Sequence, residues 1–111
     1  MRTFHHTGVI TDERHSGELY VEQTKVWITN PDSHPYRIEY LRFEPDSPVT
    51  GPVRNQCHTA YTVDNLDKAI EGQRVLLGPF DALEGLRVVF VEQDGAVVEF
   101  MEFSKGRKQI S

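Results

Sequence analysis

The feature that most constrains the fold is an internal repeat, in which each half of the chain opens with a histidine strand and ends with a glutamate strand. Segment 6–11 (His-Thr-Gly-Val-Ile-Thr) aligns with 58–63 (His-Thr-Ala-Tyr-Thr-Val), and 38–43 (Ile-Glu-Tyr-Leu-Arg-Phe) aligns with 98–103 (Val-Glu-Phe-Met-Glu-Phe). Short repeats match easily by chance, so either pair alone is weak evidence. Two matches in the same order predict two related, strand-rich modules.

The length of 111 residues is close to the commonest size of one domain, and we expect residues 1–111 to form a single domain. The modules would span about 1–44 and 57–103. Between them, residues 45–56 contain three prolines and a glycine, a composition typical of a linker.

The second module shows the clearer pattern. Asp94-Gly95 between two apolar runs is a strong signal for a tight hairpin. Asp64 is a candidate cap for a short helix of about two turns that ends near Gly72. A loop is predicted over 79–85, and the predicted strands are 58–63, 73–78, 86–93 and 96–103.

The first module is shorter. A strand is predicted over 4–11 and a hairpin over 24–30 and 35–44, whereas 12–23 shows no clear helical face. The repeat supports a lost helix, because the first histidine and glutamate are 33 residues apart and the second pair is 41 residues apart.

Each glutamate lies in line with apolar residues. Strand alternation places Glu39 beside Leu41, and Glu99 beside Met101 and Phe103. A buried carboxylate is costly unless it is protonated, paired or bound to a metal. Two imidazoles and two carboxylates that converge could share one divalent ion, and this donor set suits Ni²⁺, Co²⁺, Zn²⁺, Fe²⁺ or Mn²⁺.

Other interpretations compete with a metal site. A single strand histidine is more often a satisfied structural residue than a ligand, and the glutamates could pair with Arg37 or Arg87. His5 competes with His6, because a shift of one residue in register would exchange their faces. Strand alternation otherwise predicts that His6 shares a face with Phe4 and that His5 points away.

The pattern resembles the vicinal-oxygen-chelate superfamily, which includes glyoxalase I, methylmalonyl-CoA epimerase and the bleomycin-resistance proteins. The resemblance is carried by 58–69, by 88–100, and by His6 and Glu39 in the first half. It implies an α+β fold, a cup-shaped sheet built from two paired βαβββ-type modules, here with the first module shortened. In the metal-dependent branches the ligands lie at the ends of these strands, which implies His6, Glu39, His58 and Glu99.

The resemblance also implies a chemistry. A small substrate with adjacent oxygens would chelate the metal, which would stabilise an enediolate while Glu99 or Glu39 acts as general base. This describes a lyase or isomerase. The alternatives are a non-catalytic small-molecule binder of the drug-resistance type and an iron dioxygenase that uses two histidines and one carboxylate. No loop carries an evident glutathione- or CoA-binding pattern.

Charge and composition narrow the possible partners and location. The net charge of −5 argues against a nucleic-acid partner, and the one basic cluster, Lys105, Arg107 and Lys108, is expected to be a solvated tail. Cys57 is the only cysteine, so no intrachain disulfide can form. The apolar run 88–91 is too short to span a membrane. The start of the sequence contains no apolar stretch as long as that of a signal peptide. We therefore expect a cytoplasmic protein.

A homodimer is expected from the outward-facing residues. The residues on either side of each inward-facing glutamate point outward, and they are also apolar: Ile38, Tyr40, Val98 and Phe100. A sheet that is apolar on both faces must be covered on both. One short helix cannot cover two modules.

Overall fold

The computed structural model describes residues 2–104 of the chain. The basic cluster of Lys105, Arg107 and Lys108 lies outside these residues, so its expected solvation stays a prediction. None of the helices in the described part has the length and apolar character needed to cross a membrane.

Within residues 2–104, eight strands form one sheet. They are Arg2–Ile10 (β1), Leu19–Val21 (β2), Val26–Ile28 (β3), Ile38–Phe43 (β4), His58–Val63 (β5), Arg74–Leu83 (β6), Leu86–Gln93 (β7) and Ala96–Phe103 (β8). The helices are Pro52–Asn55 (α1), Leu66–Ala69 (α2) and a 3₁₀ turn at Pro31–Ser33.

The strand order β2-β3-β4-β1-β5-β8-β7-β6 divides the sheet into two similar modules. In each module the first strand runs parallel to the last, and the other strands pair antiparallel. Antiparallel pairing of β1 with β5 joins the modules at the centre of the sheet. The sheet curls into a cup, which confirms the predicted architecture of paired modules.

The first module is shortened by a helix but keeps all four strands. The connection between β1 and β2 contains no helix, and the unassigned segment 12–23 contributes the three-residue strand β2. On the convex side, Arg42 pairs with Glu18 of this connection, with N–O distances of 2.7 and 3.0 Å. Trp27 packs beside Arg42 and donates to Glu44, so it lies outside the cup.

Two boundaries in the second module differ from the predictions. Helix α2 has one turn, and Asn65 caps it by accepting a hydrogen bond from the Lys68 N–H, in place of Asp64. The predicted loop over 79–85 is wrong for most of its length, because β6 continues to Leu83. Strand β6 is the edge of the sheet, where a proline's missing N–H is tolerated, and its pairing shifts register around Pro79.

The predicted hairpin between β7 and β8 is confirmed. Asp94 and Gly95 have φ values of 52° and 86°, the two left-handed positions of a type I′ turn. The turn aligns Phe90 with Glu99 across the two strands.

Apolar side chains cover both faces of the second module. On the convex face, Leu66 of α2 is fully buried against Val89, Val91, Val98 and Phe100. On the concave face a second cluster forms around Val88, Val97 and Met101, with Val49 and Val53 packed against it. The concave face of this module is therefore an apolar wall beside the centre of the cup.

Candidate metal centre

Four side chains from four adjacent strands meet at the floor of the cup. They are His6 of β1, Glu39 of β4, His58 of β5 and Glu99 of β8, and one donor atom of each lies within 4.8 Å of the others. The structure thus brings together the four residues selected from the sequence.

The pairing register explains why these four residues converge. Gly8 of β1 pairs with His58 on one side and Glu39 on the other. Ala60 of β5 pairs with His6 on one side and Glu99 on the other. Two rows of paired residues therefore cross the sheet, Glu39–Gly8–His58 and Glu99–Ala60–His6. In each row the glutamate and the small residue belong to one module and the histidine belongs to the other. Because the residue between them is small, both polar side chains can lean over it.

The His58 ring packs directly over the backbone of Gly8. A Cβ atom built on Gly8 would lie 2.1 Å from Cε1 and 2.5 Å from Nε2 of His58, far inside van der Waals contact. The His58 ring therefore occupies the space that a side chain at position 8 would fill. This role of Gly8 was not predicted from the sequence. The signal was present, because each site histidine is followed two positions later by glycine or alanine.

The donor atoms of the cluster lie within ion-pair distance of one another. Nε2 of His6 lies 3.3 Å from Glu39 Oε1 and 3.4 Å from Glu99 Oε1, and Nε2 of His58 lies 3.0 Å from Glu99 Oε1. Even so, neither Nε2 atom has a hydrogen-bond partner of acceptable geometry among the described residues. Nitrogen and oxygen donors that surround one point in this way fit a shared cation, because direct hydrogen bonds would align them differently.

Burial makes the charges of the cluster interdependent. Burial alone disfavours the charged His6 ring, but the Glu39 and Glu99 carboxylates outweigh burial and raise the pKa of His6. Burial likewise disfavours the Glu99 carboxylate, but His58 and His6 outweigh burial and lower the pKa of Glu99. Without a metal, therefore, a positive charge on the His6 ring and the negative charge of the Glu99 carboxylate stabilise each other, and a divalent cation would supply positive charge at the same place.

The arginine pairs considered from the sequence do not form at either glutamate. Arg37 pairs with Asp32 at 2.9 Å, and Arg87 lies 3.8 Å from Glu102 and 3.9 Å from Asp67. Among the described residues, the ionic partners of the two site glutamates are the two site histidines.

The predicted orientation of His5 is wrong. The register of β1 against β5 shifts between Phe4 and His6, and this bulge turns both His5 and His6 towards the cup. Phe4 lies on the convex side, edge-on to Tyr61 at 6.2 Å. His5 is 8% exposed, and its Nδ1 lies 2.8 Å from Nδ1 of His6. Burial, together with His6 and Arg37, lowers the pKa of His5 to about 4, which keeps its ring neutral.

A cavity of about 420 Å³ lies above the cluster. This volume is in the range of pockets that hold small ligands. Glu39, Glu99, His5 and His6 form its polar end, and Met101 is one of its mainly apolar walls. The concave face thus combines a potential cation site with a partly open, mainly apolar cavity that is large enough for a small molecule.

Solved structures share this arrangement of strands. A hypothetical protein from Bacillus halodurans C-125 matches with a TM-score of 0.72 at 18% identity, over 97% of this chain and 99% of that chain. Methylmalonyl-CoA epimerase from Mycobacterium tuberculosis matches with a TM-score of 0.59 at 13% identity, over 93% and 89%. The chain has the vicinal-oxygen-chelate fold.

A third match to this fold is a mutant of 4-hydroxymandelate synthase from Streptomyces coelicolor, with a TM-score of 0.50 at 15% identity. It covers 97% of this chain and 50% of that chain. No protein-family model matches the chain, and no curated protein matches it. The buried His/Glu cluster is thus a possible metal site within this fold, and neither the fold nor the cluster specifies a reaction.

Proposed function

We propose that this chain is a metal-dependent lyase or isomerase that acts on a small substrate with two adjacent oxygen atoms. The observation that supports it is the cluster of His6, Glu39, His58 and Glu99, three of which (His6, Glu39 and Glu99) line the polar end of a partly open, mainly apolar cavity. A substrate in this cavity could place its oxygens at the cluster while its carbon chain contacts the apolar walls.

In this proposal the two histidines bind the ion through Nε2, and the two glutamates bind through carboxylate oxygens. When bound, a divalent ion of the Ni, Co, Zn, Fe or Mn type supplies charge stabilisation for oxygen atoms that become negative as a neighbouring C–H proton is removed.

The carboxylates differ in how firmly they are held. Glu99 lies between two imidazoles, at 3.4 and 3.0 Å, whereas Glu39 lies near only one, at 3.3 Å. The Glu39 side chain is also the more exposed, at 13% against 9%. These differences favour Glu39 as the carboxylate that carries the proton, with Glu99 as the firmer ligand.

Elemental analysis of the purified protein tests the metal site. We expect about one equivalent of a divalent metal in the wild type and in His15→Ala, a control on a histidine that stacks on Tyr40 away from the cluster. We expect none in His58→Ala. Equal metal content in His58→Ala and the control would refute the site.

Proton exchange tests the reaction class. In D₂O the metal-loaded protein should exchange the C–H proton of small α-hydroxyketones, and Glu39→Gln should slow the exchange by at least about 100-fold, as expected for a general base. Oxygen consumption with Fe²⁺ and no such exchange would instead favour a dioxygenase.

The alternative of a non-catalytic small-molecule binder is favoured by the apolar walls of the cavity. Thermal stabilisation of the metal-free protein by apolar compounds, with no stabilisation by any divalent ion, would support this alternative.

A further inference from the structure

We propose that the cavity takes a molecule that is apolar and uncharged beyond its pair of adjacent oxygens. This inference names a substrate class for the site of the proposed function, and so rests on that function. It excludes substrates with a phosphate, a carboxylate or another anionic tail.

The lining of the cavity supports this class. Its walls come from both modules and include Leu41, Phe43, Leu83, Phe90 and Phe103. In the described part of the chain, no lysine or arginine lines it. The other polar contributors, such as Thr24, Thr29 and Asn30, are uncharged and can accept or donate single hydrogen bonds.

The nearby arginines do not line the cavity, and most of their donors are engaged elsewhere, although Nη2 of Arg37 is buried without a hydrogen-bond partner among the described residues. Arg37 donates to the His5 carbonyl and pairs with Asp32, and Arg42 pairs with Glu18 on the convex face. Arg54 donates to backbone carbonyls, including that of Ser47 at 3.2 Å. An anionic tail would lose its hydration in the cavity without gaining a cation, and burial of an unpaired charge is strongly unfavourable.

Hydroxamic acids test the inference with zinc-loaded protein, because they present two adjacent oxygens on a variable tail. We compare acetohydroxamic acid, hexanohydroxamic acid and adipic acid monohydroxamic acid by titration calorimetry. The second has four more methylene groups than the first, and the third adds a carboxylate to a tail of similar length.

Each methylene group that enters an apolar site strengthens binding by up to about fourfold. Hexanohydroxamic acid should therefore bind on the order of 100-fold more tightly than acetohydroxamic acid, and the added carboxylate should remove most of that gain. Equal affinities along the series, or tightest binding by the carboxylated compound, would overturn the inference.

A rim variant provides an independent measurement. Leu19 lines the cavity but is 51% exposed, so lysine fits there without entering the core. In Leu19→Lys the penalty for the carboxylated compound should shrink at least tenfold, whereas Val75→Lys, on the exposed edge strand outside the cavity lining, should leave it unchanged. An unchanged penalty in Leu19→Lys would count against the inference.

Failure of the proposed function gives a different result. If zinc does not load, or if acetohydroxamic acid binds His58→Ala as well as the wild type, the metal-dependent function fails. The substrate class is then tested on metal-free protein with hexanamide and adipic acid monoamide. Preference for hexanamide supports the apolar class, and no preference overturns it.

The bulge in β1 brings His5 against His6, and this contact supports a second inference. We infer that His5 is a positioning residue for His6, a role that rests on His6 being a ligand. The two Nδ1 atoms are 2.8 Å apart, so one must donate and the other accept. For Nε2 of His6 to bind an ion, the hydrogen must be on its Nδ1, which then donates to His5. His58 has no such partner at Nδ1 among the described residues.

Two substitutions separate the hydrogen bond from packing. His5→Asn keeps an acceptor near the position of Nδ1, and His5→Leu removes it at similar size. Zinc affinity, measured by competition with a chelator, should fall about 10- to 100-fold in His5→Leu and less in His5→Asn. Equal affinities in all three proteins would refute the role of His5 alone, whereas no zinc binding by the wild type would refute the proposed function.

Nuclear magnetic resonance gives a readout that does not depend on a variant folding. In zinc-bound wild type, the ¹⁵N shifts of the His6 ring should show a protonated Nδ1 and a zinc-bound Nε2. Zinc on Nδ1, or a protonated Nε2, would overturn the inference.

Discussion

Substitution of Gly8 by alanine should destabilise the protein through one contact, the His58 ring. The added Cβ would lie 2.1 Å from Cε1, whereas ordinary contacts begin near 3.4 Å, so the ring must retreat by more than about 1 Å. Overpacking of this kind costs about 1–3 kcal/mol. Gly8 has no positive φ angle, so alanine brings no backbone strain and by itself stabilises by about 0.4–1 kcal/mol through the unfolded chain. The net loss should be roughly 1–2 kcal/mol.

The His58→Ala background reverses the sign of this effect. With the ring gone, the new Cβ meets no clash, so Gly8→Ala should stabilise by about 0.4–1 kcal/mol. Urea denaturation with a chelator present measures all four proteins, and an unchanged m value would show that the unfolded state is comparable. The coupling energy between positions 8 and 58 should therefore be at least about 1 kcal/mol.

Two results would refute this reasoning. One is a loss of stability from Gly8→Ala of the same size in both backgrounds, which would place the cost outside the ring contact. The other is no loss in the wild-type background, which would mean that the ring does not lie over Gly8. Metal affinity is a second readout, because the displaced ring would carry Nε2 away from Glu99.

Three further predictions concern the rest of the fold. Leu66→Ala should cost about 2–5 kcal/mol in urea denaturation and leave metal content unchanged, because Leu66 is fully buried on the convex face, away from the cluster. Asn65→Ala should cost about 0.5–2 kcal/mol, since it removes the cap of α2, and Asn65→Asp should restore most of that loss. Light scattering should give a mass of twice 12.7 kDa for the predicted homodimer, and a monomer mass at every concentration would exclude it.

The candidate metal site could be selected from the sequence because its four residues repeat. Strand alternation put Glu39 and Glu99 on the concave face, and the pairing in the structure agrees with that assignment. The type I′ turn was equally predictable, because Asp94 and Gly95 are residues that accept positive φ angles. The faces of the glutamates follow from the alternation of residues along a strand, and the turn follows from the backbone preferences of Asp94 and Gly95. Both can be predicted from the sequence alone.

The features that sequence reasoning missed depend on partner strands. The bulge at His5 inserts one residue in β1 relative to β5, and two adjacent histidines give no sign that both face the cup. The length of β6 depends on its being an edge strand, where Pro79 costs no interior hydrogen bond. Neither the position of a strand in a sheet nor its register can be read from that strand's own residues.

The register across the centre of the sheet explains why one module alone could not form the cluster. Because β1 and β5 are antiparallel about Thr7 and Thr59, each histidine lies opposite the small residue of the other strand. Each glutamate flanks that same small residue within its own module, through the parallel pairs Gly8–Glu39 and Ala60–Glu99. A histidine therefore reaches the glutamate row of the opposite module, and disruption of the β1–β5 pairing would separate both rows at once. The cluster is thus a consequence of the duplication: it requires both modules, and at Gly8 it also requires the absence of a side chain, because the His58 ring occupies that space.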